Sequence, residues 1–443
     1  MRGAGRDRRD NVHDVLVIGG GPAGSACAYW LADAGWDVLL VEKKRFPREK
    51  TCGDGLTPRS VRQLADMGLD DVLARHHRFS GLRSVAFGRT LELSWPEHPG
   101  FPGHGYVVTR HDLDRTVAER AEKAGAMVWQ GAEAVDVVRD GSAGRVRGAV
   151  VRRPDPAAME PAGTASTRTE EVTARVVVVA DGANSRIGRV LGTRRDRDCP
   201  QGMAIRGYYA SPRHDEDWIE SHLDVRDRDG NVLPGYGWIF PVGDGRVNVG
   251  VGLLSTFSHW KDVNTSHLMD AFVHGAPDSW DIRPETSCGP PTGGRLPMAL
   301  SVIPRSGPGW IGIGDAVGAI NPFNGEGIAY AYETGRMAAL GLAGALAAGA
   351  GRTEAVSDTA IDGAVAGYER QLVDTYGLYY KVAEAFVRII GRPRLMRLLV
   401  GTGMHSRTLM EWVLRIMSNL LRPDEIGPAE AAYRAVAALA AAL

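Results

Sequence analysis

Lysine is nearly missing from this chain: six occur in 443 residues, and the remaining positive charge is arginine. The 52 Lys and Arg almost cancel the 53 Asp and Glu, so no net field draws the chain toward nucleic acid. Cysteine is as scarce. Cys27, Cys52, Cys199 and Cys288 form no Cys-x-x-Cys pair and no Cys/His cluster at zinc spacing, which argues against a metal ribbon and a disulfide scaffold. With no signal peptide legible, a reducing, cytoplasmic setting is expected. Long apolar runs are missing too. The longest uncharged stretch, MAALGLAGALAAGAG (337–351), falls short of the roughly 20 residues that cross a bilayer. The composition, 44% hydrophobic and 24% charged, is that of an ordinary globular chain with length for about two to three domains.

After a charged leader (1–11), expected to be disordered, comes HDVLVIGGGPAGSACAYWLADAGWDVLLVEKKRFP. It reads as a buried strand, a glycine turn, a helix and a second strand. Gly19, Gly21 and Gly24 fill a G-x-G-x-x-G spacing, with Pro22 and Ala23 opening the helix. The first glycine permits a tight turn, the second lets backbone approach a pyrophosphate, and the third allows close helix–strand packing. Glu42 ends the second strand 18 residues after Gly24, where a carboxylate can accept from ribose hydroxyls. The segment is expected to bind a dinucleotide.

Two later segments repeat the strand-to-turn logic: ARVVVVADGANSRIGRVLG (174–192) and GWIGIGDAVGAINPFNGEGIAYAYETGR (309–336). Together with the first, in this order, they resemble the FAD-binding monooxygenase-type flavoproteins. The resemblance implies FAD as cofactor, Asp315 on the ribityl chain, and the backbone of Gly327 and Ile328 near the flavin ring. TRHDLDRTVAERA is similar to that superfamily's arginine segment and places Arg110 near the FAD, while Ala134 would lie by the adenine. CGDGLTPR, PGYGWIFP and NPFNGEGI are similar to the geranylgeranyl reductases, and within that family to the actinobacterial menaquinone reductases, from residue 14 to about 422. The resemblance implies saturation of a double bond in a polyprenyl chain, most specifically one isoprene unit of a menaquinone tail. Another geranylgeranyl lipid or diphosphate is the alternative substrate.

In LPGYGWIFPVGDG (233–245), Tyr236, Trp238 and Phe240 alternate and share one strand face. Under the resemblance they wall an apolar slot in front of the flavin; taken alone, the stretch reads rather as a strand packed on a core. Cys52 lies on a loop expected to face the ring, as proton donor or as a small residue letting Cys52, Gly53, Asp54 and Gly55 hug the cofactor. Asp54 is the rival donor. Two departures narrow the family. Gly318 stands where aromatic hydroxylases carry a histidine, and no lysine occurs between Asp70 and Arg110, which counts against halogenation. A prenyl-lipid carrier without redox work has no need of the three intact nucleotide motifs. No second nucleotide motif marks an electron donor, leaving NADPH, ferredoxin and a quinol pool open.

The expected fold is α/β: a Rossmann-like FAD-binding domain of monooxygenase type (12–195 and 295–345), an antiparallel substrate-covering sheet (196–294) and a C-terminal helical region (346–443). The low-complexity insert 152–171 is expected to be a mobile loop. Between Phe386 and Arg422 stand seven arginines and one glutamate among FVRII, LMRLLV and WVLRIMSNLL. That pattern suits a membrane surface bearing anionic lipid, or a helical cap whose arginines face water.

Overall fold

The computed structural model describes residues 12–142, 144–155, 166–350, 357–422 and 427–442. The leader 1–11 lies outside the described residues. The first strand, Val12–Ile18, is buried from Asp14 onward and runs parallel to both Val38–Glu42 and Thr167–Val179. Runs of Val, Leu and Ile buried on both faces are what an inner parallel strand requires. Met127–Gln130 extends the sheet beyond Val38–Glu42, and Trp310–Gly312 extends it beyond Thr167–Val179. Two antiparallel strands, Val146–Pro154 and Glu133–Arg139, branch from Thr167–Val179. All three nucleotide motifs therefore leave the carboxyl ends of adjacent parallel strands, where α/β folds hold ligands.

The helix Pro22–Asp33 packs its small residues against this sheet and under the long helix Ile328–Ala350. At their crossing a Cβ on Gly335 would lie 2.5 Å from the Ala23 carbonyl, so only glycine permits that approach. A second sheet runs in the order Thr292–Pro297, Gln201–Ala210, Arg246–Leu254, Gly235–Pro241, Trp218–His222, Gly81–Ala86 and Arg89–Ser94. The hairpin Gly81–Ser94 thus lies inside the segment expected for the FAD domain yet pairs with Trp218–His222. Likewise Thr292–Pro297 runs through the boundary expected at 295.

Of the insert expected to be a mobile loop, residues 152–154 and 167–171 pair as the ends of a long hairpin, with Asp155 and Ser166 bonded next in line, and 156–165 lie outside the described residues. The C-terminal helices are Asp358–Ile390, Pro393–Gly403, Arg407–Met417 and Pro428–Ala442. Tyrosines dock the longest of them. Tyr368 donates to the Gly312 carbonyl, Tyr380 to that of Ala319 and Tyr379 to that of Ile416, while Tyr376 and Tyr380 stack at 5.6 Å. Each hydroxyl finds a partner inside an apolar interface, as buried tyrosines must. The short helices are thereby carried against the open face of the second sheet.

Candidate active site

A cleft of about 650 Å³ runs between the two sheets. Its polar end is built on the glycine turn. Gly19 has φ +105°, and a Cβ there would sit 2.4 Å from the Ala180 carbonyl oxygen. On Gly24 a Cβ would meet the Gly19 carbonyl at 1.9 Å, so this glycine is fixed by packing and sits behind the cleft wall. Gly21 differs: its Cβ would meet nothing nearer than the Arg48 guanidinium at 3.9 Å. Gly19, Gly21, Pro22 and Ala23 line the cleft, and the helix they open leaves first-turn N–H groups without intrahelical acceptors.

Glu42 lines the same end. Its carboxylate accepts from the backbone N–H groups of Gly20 and Lys44, both at 2.9 Å, and from Arg48 at 3.4 Å. A carboxylate has about four acceptor sites, so capacity for ribose hydroxyls is left. Arg48 also reaches Asp114 at 2.9 Å, and Asp114 grips Arg110 through two bonds of 2.7 and 2.8 Å. Buried guanidinium and carboxylate compensate each other here. Arg48 carries no motif signature and was not singled out in the sequence; Asp114 lies in the quoted TRHDLDRTVAERA segment, but its grip on Arg110 was not foreseen.

Asp315 follows the strand Trp310–Gly312 and reaches the cleft with a carboxyl that takes no hydrogen bond from the described residues. Burial raises its pKa, opposed by the charges of Lys50 and Arg110. A Cβ on Gly327 would lie 3.4 Å from its Oδ1, and Ile328 opens the next helix beside it. Ala134 lines the far end of the cleft. An orphan carboxyl, an open glycine at Gly21 and a carboxylate with spare acceptor sites are what a ribityl chain, a pyrophosphate and a ribose need. The residues fit FAD.

At the other end the loop from Cys52 to Gly55 meets the second sheet. Tyr236, Trp238 and Phe240 form one stripe, with ring centroids 5.8 and 6.3 Å apart, and all three line the cleft. Their cross-strand neighbours are Gly252, Gly250 and Asn248, so the sheet face beside the stripe is a trough. Phe240 is partly core: its ring edge lies 3.2 and 3.1 Å from where Cβ atoms of Gly53 and Gly55 would be. Those two glycines thus make room for Phe240, and Gly55 sits behind the wall. Cys52 lines the cleft, and burial pushes its thiol pKa up. Asp54, the rival proton donor, is fully buried behind it at φ +64°. Tyr208 at 2.5 Å, Asn248 at 2.8 Å and the Arg110 N–H at 3.2 Å hold its carboxylate, so it shapes the loop rather than facing the cleft.

The cleft then continues as an apolar arm whose far wall sequence reasoning missed. Phe386, Ile390, Met396, Val400, Met410 and Val413, from three C-terminal helices, line it. The signal was present in FVRII, LMRLLV and WVLRIM, but that stretch was expected to meet a membrane surface or to form a helical cap with its arginines in water.

The fold and this cleft define an FAD-dependent oxidoreductase. The profile of the FAD binding domain family matches residues 12–206. The chain is similar to a menaquinone reductase of Mycolicibacterium smegmatis, 39% identical over 412 residues covering 93% of each chain. Among solved structures it resembles a geranylgeranyl bacteriochlorophyll reductase-like protein from Thermoplasma acidophilum, with TM-score 0.74, 23% identity, and 96% and 99% of the two chains covered. A flavin-dependent brominase shares the fold at TM-score 0.70 and 19% identity, over 96% of this chain and 97% of that one. The chain belongs to the geranylgeranyl reductase family of FAD flavoproteins and is closely related to actinobacterial menaquinone reductase.

Proposed function

We propose that this chain saturates one isoprene double bond in the tail of menaquinone, at the inner face of the cell membrane. One observation carries the proposal: the cleft is continuous from the dinucleotide motifs and Asp315 to an arm walled by Trp238, Phe386, Ile390 and Met410. Such an arm suits a long hydrocarbon better than a small polar aromatic. The relative at 39% identity, itself a menaquinone reductase, supports the choice of lipid.

FAD, when bound and reduced, supplies the hydride. An isolated trisubstituted alkene has no carbonyl to polarise, so the site must also bring a proton. A new C–H bond forms at one carbon from the hydride, the π pair takes a proton at the other, and nothing leaves. Cys52 is the proposed proton donor. Burial favours its neutral thiol, so the proton is present at neutral pH, and the thiolate it leaves is reprotonated by water. If the proton leads, positive charge develops on a tertiary carbon, and aromatic faces in a dry site stabilise such charge by about 1–2 kcal/mol each.

The test is anaerobic. Flavoprotein bleached with dithionite and mixed with menaquinone should regain its flavin absorbance while the tail gains two hydrogens by mass. Re-oxidation with no gain in the tail means that the quinone head alone took the electrons, and the proposal fails. Saturation of a geranylgeranyl lipid or diphosphate would use the same arm, and competition between geranylgeranyl diphosphate and menaquinone separates the two.

A further inference from the structure

Asn248 belongs to no motif, yet its side chain has no idle atom. It lies fully buried on Arg246–Leu254, opposite Phe240 on one side and Tyr208 on the other. Its Oδ1 accepts from the Trp238 indole Nε1 at 2.9 Å. Its Nδ2 donates to the Cys52 carbonyl at 2.9 Å and to Asp54 Oδ2 at 2.8 Å. An indole N–H only donates, so the amide must present its oxygen there, and the nitrogen must then point to the loop. Arg206 also donates to the Cys52 carbonyl, at 3.2 Å, but makes no hydrogen bond to the aromatic stripe. One amide thus ties the residue expected to meet positive charge to the loop expected to bring the proton.

The tie holds two parts with reason to move. Trp238 overlies Gly250 and Gly252, residues with no side chain to fix its ring sideways. The loop carries a non-glycine residue, Asp54, in the left-handed region, a conformation that persists only where neighbours impose it. Tyr208, Asn248 and the Arg110 N–H are those neighbours. Removing the amide leaves a buried indole N–H without acceptor and a loop with two hydrogen bonds fewer.

We propose that Asn248 is a positioning residue for alkene reduction, holding the Trp238 indole and the Cys52 thiol in one fixed relation across the cleft. The proposal rests on the alkene-reductase reading given above. It predicts energetic coupling, which a residue that only supports the scaffold lacks.

The experiment is a double-mutant cycle on the holoenzyme with a second, substrate-free readout. Asn248→Leu should lower kcat for tail reduction about tenfold or more, with bound flavin retained and KM within about twofold. In a Trp238→Phe background, where the indole donor is already gone, the same substitution should cost less than about threefold. Separately, iodoacetamide labelling of Cys52, mapped by mass, should quicken in Asn248→Leu and stay at the parent rate in Trp238→Phe. If Asn248→Leu does not fold, Asn248→Asp keeps the indole acceptor while losing both donors, and should likewise quicken labelling. Equal kinetic cost in both backgrounds, or labelling unchanged by either Asn248 variant, overturns the proposal. A parent enzyme that reduces no polyprenyl alkene overturns the reductase reading instead, and labelling still decides the tie.

Discussion

Trp238 sits where core and site compete for one side chain. It is 5% exposed, yet its ring lies on the cleft wall with its polar edge satisfied by Asn248. If its face meets developing charge, Trp238→Ala should cost about 2–4 kcal/mol of transition-state stabilisation, roughly 30- to 1,000-fold in turnover per bound flavin. Trp238→Phe, which keeps a π-face, should fall between. If it were only core, alanine would instead lower the thermal midpoint and shed flavin in step with activity. Midpoint, flavin stoichiometry and single-turnover re-oxidation on one preparation separate the two. Glu326 poses a different residue-scale problem. It accepts a hydrogen bond from Thr57, its Oε2 is buried without a partner among the described residues, and Arg59, which could neutralise it, is gripped by Glu333. Burial lifts the carboxyl to about 7. A folded pKa above the unfolded one, about 4.3, means that the folded state holds a proton the unfolded chain releases. The stability this proton confers is complete below about pH 4 and is lost as pH rises through about 7. Glu326→Gln keeps the neutral shape at every pH. Its thermal midpoint should therefore gain on the parent between about pH 5 and pH 8.5, as read by calorimetry with FAD added. A pH-independent offset would show that Glu326 is ionised throughout.

At the scale of elements, what was legible was local. The unit from Val12 to Glu42 announces itself because a parallel strand, a glycine turn and a helix each have their own periodicity within a few residues of one another. Asp315 and Gly327 could be placed on a turn by the same strand–turn–helix pattern, whereas their expected place beside a flavin came from the family resemblance alone. Pairing across distance was not. Nothing in the hairpin Gly81–Ser94 says that its partner is Trp218–His222, more than a hundred residues on, so it was assigned to the wrong layer. Asn248 was invisible because a single asparagine in a strand has no pattern; only its three partners give it meaning. The C-terminal helices show the deeper limit. An apolar stripe reads alike whether it faces lipid, protein or a cavity. The structure turns Met396, Val400, Met410 and Val413 to the cleft. If that arm holds the polyprenyl tail, Val413→Trp should obstruct it. KM for menaquinone is expected to rise about tenfold while flavin content and dithionite bleaching stay at parental values. A short-tailed menaquinone should be affected least, since fewer isoprene units then need the arm. An unchanged KM for both would mean that the tail lies elsewhere.

For the molecule as a whole, the question is how a polyprenyl substrate, as proposed, would reach a cleft between two sheets. No helix among the described residues is long and apolar enough to cross a membrane. The arm opens beside Leu399 of the helix Pro393–Gly403 and Leu409 of the helix Arg407–Met417, which both line the cleft and stand 46% and 38% exposed. Leu398, next to them, is 64% exposed. At the start and on the outer face of the helix Pro393–Gly403, Arg392, Arg394 and Arg397 are exposed and take no carboxylate among the described residues, and Arg394 and Arg397 line a separate surface groove with Leu398, whereas Arg407 pairs with Glu411 and Arg415 with Glu430. Three cations without a carboxylate partner among the described residues, on the helix that also supplies Leu399 to the arm, favour docking of this helix on anionic headgroups, which would bring the arm close to the bilayer. Each arginine near such a surface is worth about 1 kcal/mol, so the three together set an affinity that salt should erode. The protein is expected to sediment with vesicles containing phosphatidylglycerol at low ionic strength and to leave them at high salt. Replacing all three arginines by glutamate should abolish sedimentation, while reduction of detergent-solubilised menaquinone persists, because none of the three lines the arm. Binding to neutral and anionic vesicles alike, or loss of the detergent activity with the charges, would move the lipid entrance to another face of the molecule.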